Sequence, residues 1–164
     1  MTLADPAPAA STAAASVVDP LAVEAQVCLA MSAAARALVA FYRPLLEPLG
    51  LTHPQYLAML ALWQHGDLSL TALARLLHLE PATASPLVRR LEGLGLVERA
   101  RSGADERALA IRLTDAGRAL RERAVGIPAA MVQGLRLDLR QVAQVREAAQ
   151  LLLAACEDAQ ARGA

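Results

Sequence analysis

The 164-residue chain has no lysine, four aromatic residues, two cysteines and no net charge. Aromatics at 2% argue against the stacking platforms with which proteins hold single-stranded nucleic acid. The first twenty residues lack the basic start and strong apolar run of a secretory signal, so a cytosolic setting is expected. Cys28 and Cys156 are then expected as free thiols and not as a structural bridge. No uninterrupted apolar run reaches 18 residues, which rules out a membrane span. Much of the 55% hydrophobic content is alanine, at 38 positions. No cofactor or metal is called for, and the length fits one domain with a tail.

The zero charge conceals a distribution. Residues 1–30 carry three acids and no arginine, residues 31–80 three of each sign, and residues 131–164 four of each. Residues 81–130 carry nine arginines against six acids. A locally basic segment in a neutral chain is the footprint of a face that meets phosphate, or else a solvated arginine surface.

Residues 1–20 are Ala, Pro, Ser, Thr and Asp with few large apolar groups, and are expected as a disordered arm. From about Pro20 to Glu47, Cys28, Met31, Ala35, Leu38, Tyr42 and Leu45 fall at steps of three and four, which predicts a long helix. A neighbouring stripe, Val23, Val27, Ala34, Leu38 and Phe41, widens its apolar arc, so it should be buried against more than one partner. Pro48 and Gly50 end it. Thr52 caps a second helix that stops at His65-Gly66-Asp67.

Ser69 then caps a short helix with Leu70, Leu73, Leu76 and Leu77 inward. A tight turn, Leu79-Glu80-Pro81, leads into a second helix from Ala82 to Gly95, with Leu87, Leu91 and Leu94 inward. Two short helices joined by a tight turn are a helix-turn-helix signature. Thr83, Ser85, Pro86, Arg89 and Arg90 lie toward the outside, with Pro86 placed near the first turn, where a missing N–H costs least. After Gly95 the apolar period drops toward two, so Leu96–Arg101 and Ala108–Leu113 read as the strands of a hairpin with its turn at Ser102–Asp105. Thr114 and Asp115 cap a fifth helix to about Ala124, and Gly126–Pro128 kinks or breaks it. A last helix over 137–160 carries Val142, Val145, Ala149, Leu152 and Cys156 at heptad spacing, which suits pairing with another helix.

Reading double-stranded DNA needs an element that fits the major groove, donors to base edges, and cations on the phosphates. Residues 82–107 offer all three. Thr83 and Ser85 sit near the N-terminus of the presumed reading helix, Arg89 and Arg90 one to two turns on. Arg107 at the hairpin tip is placed to enter the minor groove, with Asp105 beside it as an ion-pair partner. Arg99, Arg118 and Arg121 are expected only to solvate the surface.

Asp105-Glu-Arg107-Ala-Leu-Ala-Ile-Arg-Leu-Thr114 resembles the wing signature of the MarR family of winged-helix repressors. Leu51-Thr-His-Pro-Gln-Tyr56, Leu73-Ala-Arg-Leu-Leu77 and Leu91-Glu-Gly-Leu-Gly-Leu-Val97 are similar to that family too, over about residues 21–160. The resemblance implies a mainly α fold with a small β-hairpin wing, a winged helix-turn-helix. It also implies an obligate homodimer with interlocked N- and C-terminal helices, a single domain over 21–164, dimerisation helices at 21–50 and 126–162, and a DNA-reading lobe at 52–124. The expected partner is double-stranded, pseudo-palindromic operator DNA, released on a ligand or an oxidant.

The run Cys28-Leu-Ala-Met31, then Tyr42-Arg-Pro-Leu-Leu-Glu-Pro-Leu-Gly-Leu-Thr-His-Pro-Gln-Tyr56, resembles the organic hydroperoxide-sensing branch. There the cysteine is oxidised and two tyrosines hydrogen-bond its thiolate. Tyr42 matches the first tyrosine; His53 stands in place of the second, and a protonated histidine would lower the thiol pKa more than a phenol does. Leu29 and Ser32 replace larger rings of that branch. Fourteen residues of straight helix separate Cys28 from Tyr42 by about 21 Å, so their contact requires a partner chain. Cys156 is not where two-cysteine members keep their second thiol, a region here reading Ile127-Pro-Ala-Ala-Met131, and reads as a small apolar group on its seam. Redox release through Cys28 is one reading. Release by a small phenolic or apolar ligand, with His53 and Arg36 as polar contacts, is the other. An enzyme using Cys28 would need a base in reach, and His53, His65 and His78 come without a catalytic motif.

Overall fold

The computed structural model describes residue 19, residues 21–101 and residues 109–163. The expected arm, apart from Asp19, and the wing-tip residues Asp105 and Arg107 lie outside the described residues. The chain divides into two compact units, Met1–Ala37 and Leu38–Ala164. In the first, Asp19 Oδ1 accepts the Leu21 N–H at 2.9 Å ahead of a 3-10 turn over Val23–Ala25. Helix α1, Val27–Leu46, begins there and ends in the second unit. It starts seven residues later than the apolar stripe suggested, because the Val23–Ala25 turn breaks off at an extended Gln26.

The second unit continues with α2 (His53–His65), β1 (Leu68–Ser69), α3 (Leu70–Leu76) and α4 (Pro81–Gly93). Strands β2 (Val97–Arg101) and β3 (Leu109–Leu113) follow, then α5 (Asp115–Ala124), α6 (Ile127–Leu135) and α7 (Leu139–Gly163). Local chemistry sets these boundaries. Gly50, at φ 68, takes the left-handed conformation that closes the Glu47–Leu49 turn. Thr52 and Gln55 form a capping box, in which the Thr52 N–H donates to Gln55 Oε1 at 2.7 Å, giving that buried side-chain oxygen its donor. Ser69 Oγ accepts the Ala72 N–H at 3.1 Å and starts α3. Thr114 Oγ1 accepts the Gly117 N–H and starts α5.

The sheet has the order β1-β3-β2, all antiparallel, with Ile111 paired to Leu68 on one side and Arg99 on the other. The expected hairpin is present with a third strand added, two residues long and too short to show any period. Leu46, Met59, Leu62, Leu73, Val88 and Leu91 are the largest fully buried side chains, and Val97 and Ile111 close the core from the sheet. Two inward assignments and the placing of Pro86 are corrected. Leu94 is 50% exposed because it follows the end of α4, and Leu76, at 41%, lies on the open side of α3. Pro86 is the sixth residue of α4, past its first turn, so the exposed Ala82 lacks its usual i+4 donor.

Side chains and close backbone lock the lobe together. The Trp63 indole N–H donates to the Gly117 carbonyl at 2.9 Å. A Cβ at Gly117 would stand 2.0 Å from the Leu96 carbonyl, so only glycine lets α5 approach that linker. Arg112 Nε and Nη2 both donate to Asp67 Oδ2, at 2.9 and 2.7 Å, tying β3 to the residue ahead of β1.

Beyond Ala124 the expected kink is the start of a separate helix, α6, with Pro128 in its first turn. Helix α7 starts at Leu139, where Asp138 and Gln141 exchange backbone-to-side-chain hydrogen bonds. No residue of α7 is buried. From Val27 to Ala40 every residue of α1 is exposed as well. The span Val27–Leu49, with mean hydropathy 1.2, is long and apolar enough by length and composition to cross a membrane, unlike the expectation from uninterrupted runs. Its polar Ser32, Arg36 and Arg43 interrupt those runs without cancelling the alanines and leucines between them.

Candidate nucleic-acid interface and sensor cluster

Helix α4 is amphipathic in the sense a DNA-reading helix needs. Ala84, Leu87, Val88 and Leu91 are buried against the lobe, while Thr83, Pro86, Arg89 and Arg90 are exposed on the opposite side and Ser85 is half-buried. The arginines of the lobe sort by what they are tied to. Arg99 pairs with Glu92 at 3.3 Å, Arg112 with Asp67, and Arg118 with Asp115 at 2.6 Å. Arg123 donates to the Pro48 carbonyl. Arg89 and Arg90 have no hydrogen bond or ion pair among the described residues, so their guanidinium groups remain available to an outside anion. The surface role expected for Arg99 and Arg118 is thus an ion pair in each case.

The second constellation stands at the junction of α1 and α2. Tyr42, in the last third of α1, and His53, the first residue of α2, have ring centroids 5.0 Å apart and planes tilted by 54°. Tyr56, one turn further along α2, stands 6.0 Å from Tyr42. Burial raises the Tyr42 phenol above its ordinary range, and burial together with Tyr42 raises Tyr56. Both therefore stay protonated as O–H donors. Burial lowers His53, which favours neutral imidazole over the protonated donor that the sequence suggested. Tyr56 was legible only as part of a motif, because a residue three places after His53 shares its helix face without any local sign of which neighbour that face meets.

Cys28 belongs to the Met1–Ala37 unit and is exposed, as is Cys156 on α7. The small buried apolar role expected for Cys156 does not hold within the chain. A cavity of about 510 Å³ beside the ring cluster is lined by Val39, Arg43, Leu51, Thr52, His53 and Pro54, among others. Arg43 is its cation; Arg36, the contact suggested by sequence, falls in the first unit. Among the described residues no group of three or more His, Cys, Asp or Glu could hold a metal ion.

The sequence profile of the MarR family matches residues 51–109, from the entry to α2 up to the first residue of β3. The organic hydroperoxide resistance transcriptional regulator of Bacillus subtilis (strain 168) is 37% identical over 135 residues, 82% of this chain and 92% of that protein. The chain belongs to the MarR family. MarR-family proteins are DNA-binding transcriptional regulators and not enzymes, and the three-stranded sheet with α3 and α4 is their winged helix-turn-helix. Among solved MarR-type structures, AbfR of Staphylococcus epidermidis is 32% identical with a TM-score of 0.66, over 80% of this chain and 92% of that one. A structure of reduced AbfR bound to DNA matches with 30% identity and the same TM-score, over 80% of this chain and 91% of that chain.

Proposed function

We propose that this MarR-family regulator is a cytoplasmic repressor that binds double-stranded operator DNA as a homodimer and lets go when an organic hydroperoxide oxidises Cys28. Helix α4 enters the major groove, with Thr83, Ser85 and Pro86 near its start and Arg89 and Arg90 on bases or phosphates. Asp105 and Arg107 act at the wing. The ring cluster is the observation that carries the redox part. Tyr42 and His53 occupy the two positions at which the hydroperoxide-sensing branch holds its thiolate, and they pack together. A partner's Cys28 placed against them would meet a phenol kept protonated and a neutral imidazole N–H, both hydrogen-bond donors that stabilise a thiolate.

The thiolate attacks a peroxide oxygen and breaks the O–O bond. The sulfur is oxidised to sulfenic acid, and the alkoxide leaves as the alcohol once protonated. Homodimerisation is supported by the apolar surface that the chain leaves open, including Val27, Leu29 and Met31 on α1 and Leu139, Val145 and Leu151 on α7. The B. subtilis relative, named for organic hydroperoxide resistance, supports the oxidant class.

The test is operator binding before and after treatment with cumene hydroperoxide. Wild-type protein is expected to release DNA and Cys28→Ser to hold it; release by Cys28→Ser would overturn the redox reading. A second reading rests on the 510 Å³ cavity beside His53. A small phenolic or apolar ligand seated there against Arg43 and His53 would loosen DNA binding equally in wild type and Cys28→Ala.

A further inference from the structure

A polar contact joins helix α7 to the DNA-reading lobe. Glu157 Oε1 stands 3.0 Å from His78 Nδ1, both side chains half-exposed, and the pair bridges 79 positions of sequence. Among the described residues it is the one hydrogen bond or ion pair joining α7 to the lobe. His78 is no ordinary surface residue. It sits in the turn between α3 and α4 at φ 51, a left-handed conformation in which histidine is enriched but most side chains are strained.

That turn is tightly determined. The His78 N–H donates to Arg75 O at 3.1 Å and the Leu79 N–H to Ala74 O at 2.9 Å. Two residues later the Glu80 carbonyl accepts the Thr83 and Ala84 N–H groups at 2.9 and 3.1 Å, starting α4. A displacement of His78 therefore moves the N-terminus of α4, where Thr83 and Ser85 stand.

We propose that Glu157 is a positioning residue for operator binding, which holds the α3–α4 turn through His78 and so sets where α4 begins against DNA. This rests on the reading of α4 as the DNA-contacting helix. The contact couples the C-terminal helix to the reading head within one chain, by a route separate from Cys28 and the ring cluster. It is strongest with imidazolium against carboxylate and weaker once the ring is neutral. A cavity of about 360 Å³ runs beside the contact, and its other charged or titratable groups are Arg75 on α3, Glu80 ahead of α4 and Cys156 on α7.

The experiment measures operator affinity of the full-length protein at pH 5.5 and 8.0, under reductant so that the cysteines stay constant. Glu157→Gln is expected to weaken binding about two- to fivefold at pH 5.5 and by less at pH 8.0. A His78→Arg variant keeps a cation at both values, so its loss on substituting Glu157 should be the same at each; Arg136, at φ 54, shows that this fold accepts a left-handed arginine. Parallel pH profiles for wild type and Glu157→Gln, with circular dichroism unchanged, would overturn the proposal. An Arg89→Ala/Arg90→Ala variant keeps the two readings apart. If it binds like wild type, the assignment of α4 fails; if it loses binding while Glu157→Gln tracks wild type, only the role of Glu157 fails.

Discussion

Helix α4 is 13 residues long and buries Ala84, Leu87, Val88 and Leu91 in its own lobe, whereas α7 is 25 residues long and buries none. Both carry apolar residues at helical spacing, so periodicity alone does not distinguish them. The difference lies in what opposes each face. The apolar side of α4 meets α2, α3 and β2 within the chain, and its polar side carries two guanidinium groups that are unpaired among the described residues. Along α7 the seam of Val142, Val145, Ala149 and Leu152 stays half-buried or exposed. A helix that completes its packing at home is free to offer its other side to DNA. One that does not keeps an apolar face open, the face that the homodimer proposed above would use.

The sharpest way to break this contrast is to remove a leucine from each helix. Leu91→Ala should cost about 2–5 kcal/mol of lobe stability in urea unfolding, because it opens a cavity in a fully buried site. Leu152→Ala, half-buried on α7, should shift the same transition by less than ~1 kcal/mol. Equal losses would mean that α7 belongs to the lobe's core after all. Next in size, Val145→Asp places an unpaired carboxylate on the seam and should weaken dimerisation by roughly 1–3 kcal/mol, read by sedimentation equilibrium, while the lobe keeps its thermal transition. On α4, Arg89→Ala or Arg90→Ala should weaken operator binding across sequences and lower the salt slope by about 1 if each meets a phosphate; a loss confined to one operator position would mean a base contact.

The smallest effect concerns His53. Burial depresses its folded pKa below the unfolded ~6.5, so the folded state takes up a proton less readily. Its contribution to stability is present above that value and lost as pH falls through it. Going from pH 7.5 to 5.5, wild type should therefore lose about 1–2 °C more of Tm than His53→Tyr, which carries no group titrating there. An identical drop in the two proteins would place His53 in water.

What the sequence disclosed follows the range of each interaction. Thr52, Ser69 and Thr114 were readable as caps because a cap needs only partners within three residues, and all three start helices. The outward set Thr83, Pro86, Arg89 and Arg90 was readable from helical spacing. Ser85 was less so, because it lies beside the buried Ala84 and is itself half-buried. Strand β1 was hidden, since Leu68 and Ser69 become a strand only by pairing with Ile111 and Ala110, over forty positions away. The same holds for the sensor cluster. Tyr42 and His53 came from resemblance, but Tyr56 joins them only once α1 and α2 are packed, and the neutral state of His53 depends on how deeply that packing buries it.

Gly117 carries a consequence for movement. Its missing side chain lets the first turn of α5 rest on the Leu96 carbonyl while its own carbonyl accepts a hydrogen bond from the Trp63 indole N–H, so three segments meet at one residue with no slack. Such a joint transmits displacement without absorbing it. Under any load on the lobe, α2, the Leu96 linker into β2 and the root of α5 should move as a single lever, and bending is left to other parts of the chain.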